Sequence, residues 1–294
     1  MTAPLLIGRI PAHGPTAPPS LADVLRLVRA AETAGFHAVV LDDGAAEDGT
    51  RARFEATTLA AAVAAATDRI GLIVAPLPAD QAPYHVARIT ASLDHLAHGR
   101  TGWLAGPADA DGRTAELIEV ARGLWDSFDD DAFVHDRADG LYWRLDGIHR
   151  LDHKGRHFDV AGPLNVARPP QGHPVVAVTD PALARHADLV LLGAGHGPDA
   201  VRDLRHGAPL AKVLCALPPG ADAHALLAGT LADGLVADVT APDDPSLGLP
   251  RELGTAPAAG AATELRTTAP APTLRARLGL ARPASRHARP AAAA

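Results

Sequence analysis

Short apolar runs recur along this chain and alternate with segments of helical pattern, and that alternation narrows the choice of fold more than any other feature. The runs are Leu5–Ile10, His37–Asp43, Ile70–Ala75, Thr101–Ala105, Val175–Thr179, Leu189–Leu192, Ala211–Leu217 and Leu235–Val239. They are continuous rather than alternating, as strands buried on both faces of a parallel sheet require. Helical segments fall between them. Ser20 is placed to cap a helix from Leu21, and Gly35 to close it. Ala56–Thr67 is a small Ala-rich helix, and Pro83 stands at a first-turn position before Val86–His98. Leu117, Val120, Ala121 and Leu124 share one helix face. Pro181–Ala187, Pro198–His206 and Asp222–Ala232 complete the series. Eight strands joined by seven helical connectors read as an α/β chain of the (β/α)8 TIM-barrel class. A doubly wound open sheet is the competing arrangement.

One interval breaks the rhythm. Between Asp126 and Pro174, Asp and Gly turn signals separate short runs, with Leu141, Trp143 and Leu145 on one side and Phe158 and Val160 on another. Asp146-Gly147 and Lys154-Gly155 sit where tight turns belong. A small β excursion over about 133–165 is expected there. From Ala241 the composition turns to Pro, Ala, Gly and Thr, which gives a barrel over 1–240 and a low-complexity, solvated tail over 241–294. Within the tail, Thr273–Leu280 has the pattern of one or two helical turns.

Bulk chemistry excludes several classes. The net charge is −7 and no basic stripe interleaves with aromatics, which argues against nucleic-acid binding. No window reaches roughly 18 apolar residues, and the N-terminus lacks a signal-peptide pattern, so a cytoplasmic protein without membrane association is expected. The single cysteine, Cys215, lies in an apolar run and reads as a buried, inert thiol. His149, His153 and His157, with Asp152, have a four-residue spacing that would converge on a helix. On a strand they stand about 13 Å apart at about 3.3 Å per residue, too far for one metal ion with ligands at about 2 Å, so no metal is expected. Asp129-Asp130-Asp131 reads as a solvated acidic loop. Gly193-Ala194-Gly195-His196-Gly197 follows a strand and could approach an anion through its N–H groups, although a plain connector explains it as well.

The stretch GLWDSFDDDAFVHDRADGLYWRLDGIHRLDHKGRHFDVAGPLNVARPPQGHPV resembles the nitrilotriacetate/dibenzothiophene-sulfone monooxygenase group of the bacterial luciferase-like superfamily. GFHAVVLDDG (35–44), DRIGLIV with APYHVARITASLDHLAHGRTGW (68–103) and TLRARLGLARPASRH (273–287) resemble the same group. The resemblance implies a TIM barrel and a two-component, FMNH2-dependent monooxygenase. A separate flavin reductase would supply FMN in reduced form, and a peroxyflavin would pass oxygen to a small organic substrate. It leaves room for a homodimer. By the same resemblance Asp43 falls at the group's Ala-Asp-Gly turn near the flavin, and Trp103 at the tryptophan before a flavin-contacting asparagine. Thr179 stands where a phosphate loop begins, so these three are the expected cofactor residues. Tyr84 and His85 match a Pro-Tyr-His at the pocket, and no catalytic acid or base is identifiable.

The departures are as informative. Leu104, Ala105, Gly106, Pro107 and Ala108 replace the group's Asn and its Thr-Ser pair, and the loop before the next helix shrinks to DADGRT (109–114). Thr179-Asp180 runs straight into Pro181, where the group has Gly-Ser-Ser. Ala75 and Pro78 stand where the group has hydroxyls, and the large insertion after the seventh strand is missing. Each lost donor to a buried phosphate costs about 1.5–3 kcal/mol. Two readings therefore stand side by side: a flavin-dependent monooxygenase, and a non-catalytic paralogue of that group serving as a binding or partner subunit. A metal-dependent barrel hydrolase is a distant third.

Overall fold

The computed structural model describes residues 3–12, 18–43, 53–75, 81–255 and 272–288. Eight parallel strands close into a barrel: β1 (Leu5–Ile10), β2 (Ala38–Leu41), β3 (Gly71–Val74), β4 (Thr101–Leu104), β9 (Val175–Val178), β10 (Leu189–Leu192), β11 (Lys212–Ala216) and β12 (Gly234–Asp238), the last pairing back onto β1. The open sheet is thereby excluded. The helices are α1 (Leu21–Ala34), α2 (Ala56–Ala65), α3 (Pro83–Leu96), α4 (Arg113–Trp125), α5 (Pro198–Gly207), α6 (Ala223–Thr230) and a short α7 (Leu249–Glu252). A 3-10 turn, Pro181–His186, serves as the connector between β9 and β10. Among the described residues no helix is long and apolar enough to cross a membrane.

Strand parity sorts the core into layers. Leu5, Ile7, Val40, Ile73, Val175, Leu189 and Leu214 face the barrel interior. Their neighbours face outward, against the helices: Leu6, Val39 and Leu72 on one flank, Trp103, Val176, Val190 and Cys215 on the other. Glycine is needed where the layers close up. A Cβ on Gly71 would lie 2.5 Å from Leu274 and 2.9 Å from Ala38, and one on Gly234 would lie 2.0 Å from the Leu5 carbonyl oxygen.

The excursion is two separate hairpins rather than one small sheet: β5 (Phe133–Asp136) with β6 (Leu141–Trp143), and β7 (His153–Lys154) with β8 (Asp159–Val160). Asp146-Gly147 lies in a 3-10 turn, not a hairpin turn. Glu116 on α4 organises the second hairpin. Its carboxylate accepts from the His153 ring (3.0 Å) and from the backbone N–H groups of His157 and Phe158 (both 3.0 Å). The spaced histidines are consequently dispersed. His149 pairs with Asp129 at 2.9 Å, His153 with Glu116, and His157 approaches Asp111 at 3.8 Å.

The tail departs from the solvated reading. Its described part, 272–288, closes the N-terminal end of the barrel around a single helical turn, Leu274–Arg277. Leu274 and Leu278 join the interior cluster at 0% and 1% exposure, because leucines four apart on one turn point the same way. Arg275 is buried beside them. It donates to Asp188 at 2.7 Å and to the His173 carbonyl at 2.7 Å, and its N–H donates to Gln171 Oε1 at 2.8 Å. The Gln171 amide in turn donates to the fully buried Asp94 at 2.6 Å, whose carboxyl burial pushes upward in pKa. Arg277 donates to the carbonyls of Phe36 and Arg69. Arg282 forks onto Asp130 at 2.7 and 2.9 Å. A segment rich in arginine therefore docks because each guanidinium meets a carboxylate or the carbonyls at a strand start.

His37, just before β2, lies in this same floor. Burial, and then the charge of Arg277, lower its pKa from 6.5 to about 4, and its Nδ1 accepts from the Leu6 N–H at 3.1 Å. The neutral ring is the one that fits. Between pH 6.5 and 4 the unfolded chain binds a proton that the folded chain refuses, so stability falls as pH falls through that window. Urea denaturation should show a loss of about 2–3 kcal/mol from pH 7 to pH 4, flattened in His37→Gln. Leu274→Ala should cost about 2–5 kcal/mol by the same measurement, whereas Leu280→Ala, at the half-buried end of the tail, should cost about 1 kcal/mol or less.

Candidate functional site

In a βα barrel the strand ends and the helix N-termini meet at one mouth, where working residues collect. The inward parity that buries Ile7 and Val236 brings Arg9 and Asp238 to this level in register, with 3.5 Å between Nε and Oδ1 and about half of each side chain exposed. Asp42 follows Leu41 at the end of β2 and borders a cavity of about 10 Å3 with Ile10, Pro11 and Arg53, room for about one water. Leu104 is buried in the interior below this level.

Among the described residues, the expected site residues have different surroundings. Asp43 accepts from the Ala56 N–H at 2.9 Å and so ties the end of β2 to the start of α2. Trp103 faces outward on β4 and lies 2% exposed against Val86, Ala87 and Leu117, because Gly102 and Leu104 take the inward positions. Its Nε1 has no acceptor among the described residues. Thr179 is exposed at the end of β9. Tyr84 packs half-buried on the outer layer, and His85 is exposed beside it with the rings 6.4 Å apart. Gly44, Pro76, Leu77 and Pro78 lie outside the described residues. Cys215 is buried in the outer layer, where burial raises the thiol's pKa. Among the described residues no group of three or more His, Cys, Asp or Glu is placed to hold a metal ion.

A helix N-terminus offers free N–H groups to an anion. At this mouth most of them are already taken by side-chain oxygens. Ser20 and Asp23 form a capping box on α1. Glu55 accepts from Thr57 and Thr58 on α2 at 2.9 and 2.7 Å. Asp109 accepts from the N–H groups of Arg113 and Thr114 at the start of α4, at 2.6 and 2.8 Å, and from the Thr114 hydroxyl at 2.7 Å. Burial works to raise the Asp109 pKa, but these hydrogen bonds outweigh it and hold the carboxyl at about 2. Asp180 accepts from Ala182 at 2.9 Å and, across the gap between strands, from Ala108 at 3.2 Å. Asp222 caps α6, and Asp244 caps the turn after β12. By contrast α3 and α5 start without a side-chain cap, each with a proline in the first turn. The glycine loop 193–197 leads into α5, exposed, with the His196 ring Nδ1–H donating to the Gly193 carbonyl at 3.2 Å.

A phosphate placed at the ends of β4 and β9 would meet Asp109 and Asp180 on the donors it needs. That edge does not fit a flavin phosphate. Asp109 and Asp180 were not anticipated as site residues, although the sequence carries their signals: Asp109 shortly before a helix start, and Asp180 directly before a first-turn proline.

A sequence profile of the luciferase-like monooxygenase family matches residues 4–208. The chain is similar to both subunits of pristinamycin IIA synthase from Streptomyces pristinaespiralis. It is 62% identical to the shorter of the two over 291 residues, 98% of this chain and 99% of that one. It is 34% identical to the longer over 228 residues, 63% of this chain and 50% of that one. It is also 44% identical over 140 residues to the nitrilotriacetate monooxygenase component from Aminobacter aminovorans, 42% of this chain and 31% of that protein. Thus it spans nearly all of one relative's length and only a third to a half of the others'. The fold is that of EDTA monooxygenase (EmoA) from Chelativorans sp. BNC1, with a TM-score of 0.74 at 20% identity over 96% of this chain and 99% of that one.

Replacing Asp109 by Ala removes the cap of α4 and should lower stability by about 0.5–2 kcal/mol, read as a shift in the urea midpoint at unchanged slope. The loss should be the same at pH 5 and pH 8, since the carboxylate is ionised at both.

Proposed function

The chain belongs to the luciferase-like monooxygenase family, and from that membership we propose that it is the short member of a two-subunit monooxygenase that uses reduced flavin. The observation that carries this reading is the end-to-end match to the shorter synthase subunit beside the partial match to its longer companion. A short and a long chain of one family form the working unit, a small organic molecule is the substrate, and a flavin reductase is the transient third partner. The assembly works in the cytoplasm. A family member with one buried, unreactive thiol suits that compartment.

When bound, the reduced flavin supplies the electrons that activate dioxygen. Within this chain the carboxylates of Asp109 and Asp180 neutralise the N-termini beside β4 and β9 and hold those loops together. They take up the donors that a cofactor phosphate would use. The flavin is therefore seated on the long subunit. Arg9 and Asp238 add a balanced, solvated ion pair to the described part of this barrel's mouth.

A second reading keeps flavin on this chain, with its phosphate on the uncapped start of α5 and the exposed loop 193–197. Anaerobic calorimetry separates the two. With this chain alone, FMNH2 should not bind up to about millimolar, a free energy weaker than about −4 kcal/mol. With the longer pristinamycin IIA synthase subunit added, one flavin should bind per pair. Low-micromolar binding by the isolated chain, lost in Gly195→Glu, would establish the second reading instead.

A further inference from the structure

Among the described residues the first hairpin of the excursion is a two-stranded ribbon with no third strand. Isolated two-stranded ribbons are marginally stable, and this one shows apolar groups on both faces. Val134, Leu141, Tyr142, Trp143 and Leu145 are 40%, 44%, 54%, 41% and 78% exposed. Large exposed side chains concentrated on one element mark an interaction surface.

The ribbon is nevertheless rigidly built. Phe133 packs on the buried Phe128 with ring centroids 5.0 Å apart, and the rings of Tyr142 and Trp143 stand edge-on to Phe133 at 5.9 and 6.1 Å. The Asp136 carboxylate accepts from the N–H groups of Ala138 and Asp139 at 2.8 and 3.2 Å and fixes the tip. Between the ribbon and the end of α3 lies a groove of about 410 Å3, lined by His95, Asp129, Asp130, Phe133, His135 and Tyr142 among others. Leu96, the residue after His95 at the end of α3, is 60% exposed.

Charge defines the partner. Residues 129–146 carry six aspartates, at 129, 130, 131, 136, 139 and 146, against two arginines, at 137 and 144. Arg168 and Arg282 reach Asp130 from outside this stretch, and Arg144 reaches Asp131 and Asp146, so the negative charge of the stretch is reduced but not reversed; Asp130, Asp131 and Asp146 still leave more than half of their side chains in solvent. Aromatic anchors inside an acidic rim suit a protein face that is apolar at its centre and bears Arg or Lys at its edge. A small ligand in the groove would leave Leu141, Trp143 and Leu145 uncovered, since they lie outside its lining.

Resting on the two-subunit reading, we infer that this hairpin and groove are the surface on which the long barrel subunit docks, presenting a basic-rimmed apolar face. The hairpin lies between the end of α4 and the start of β9, at the end of the barrel opposite the mouth. Docking there leaves this chain's mouth open.

The test uses the full chain, with the longer pristinamycin IIA synthase subunit as the probe, in light scattering after gel filtration and in titration calorimetry. The wild-type chain should form a one-to-one complex whose affinity falls at least tenfold between 50 and 500 mM salt. Tyr142→Glu with Trp143→Glu should weaken it at least thirtyfold, while Leu210→Glu, at a residue 88% exposed outside this surface, should leave it unchanged. Amide exchange on the wild-type pair should show new protection at 133–145, which decides the matter even if the double variant loses its melting transition. A complex that forms unchanged with the double variant and without protection at the hairpin would overturn the surface and leave the two-subunit reading standing. No complex with the wild-type chain would overturn both. A homodimer that protects the hairpin in the absence of the longer protein would assign the face to a second copy and overturn the proposal.

Discussion

A closed barrel of strands four to six residues long cannot fill its own N-terminal end, and the contact that solves this is Leu274 seated in the floor. Its methyl groups pack where Gly71 leaves room, and a side chain on Gly71 would collide with them. Around it, Arg275, Gln171, Asp94 and Asp188 form one hydrogen-bonded chain linking the tail to α3, to the start of β9 and to the start of β10. Removing a member of such a network leaves buried charge unpaired, which is why its failure would propagate rather than stay local. Segments far apart in the sequence are thereby held as one layer.

The same logic extends to the excursion. Asp126 sits at the end of α4, where burial would raise its pKa, yet hydrogen bonds from His173 and the charge of Arg168 hold it below its usual range. Arg168 then reaches Asp130 and the Pro283 carbonyl. The stretch that carries the family resemblance is thus the stretch against which the tail docks. Its many Asp, His and Arg residues read in isolation as a solvated loop or a metal cluster. In the fold they are largely paired with one another across elements. The acidic surplus that remains lies on the outer hairpin, where it can act on another molecule.

The barrel was legible because a strand buried on both faces writes an unbroken apolar run, and eight such runs at βα spacing leave few alternatives. The tail's turn could be drawn at 273–280, but not its burial, since an arginine-rich, Pro-flanked segment looks solvated until its carboxylate partners are known. The site was less legible for a geometric reason. Asp42 and Asp43 are adjacent, and so are Leu104 and Trp103, yet in each pair only one residue follows the inward parity. A motif match cannot tell which. The resemblance pointed to Asp43 and Trp103, and the structure gives the former to the start of α2 and the latter to the outer layer. Asp109 and Asp180 were hidden differently: as caps they are ordinary, and only their position at a barrel mouth makes them consequential.

That position connects the two ends of the molecule. An anion-binding mouth is built by leaving helix N-termini open, and each carboxylate placed there removes a site while stabilising a helix. This chain has made that exchange beside β4 and β9. It has kept, at the opposite end, a rigid aromatic ribbon that burial within its own fold does not satisfy. A barrel that commits the N–H donors beside β4 and β9 to its own carboxylates and presents exposed apolar surface on its outer hairpin suits the proposed pairing with a longer subunit. If the flavin is seated on that partner, nothing in this chain's chemistry needs the mouth to be deep, and the short loops after β4 and β9 follow from what the chain is no longer required to hold.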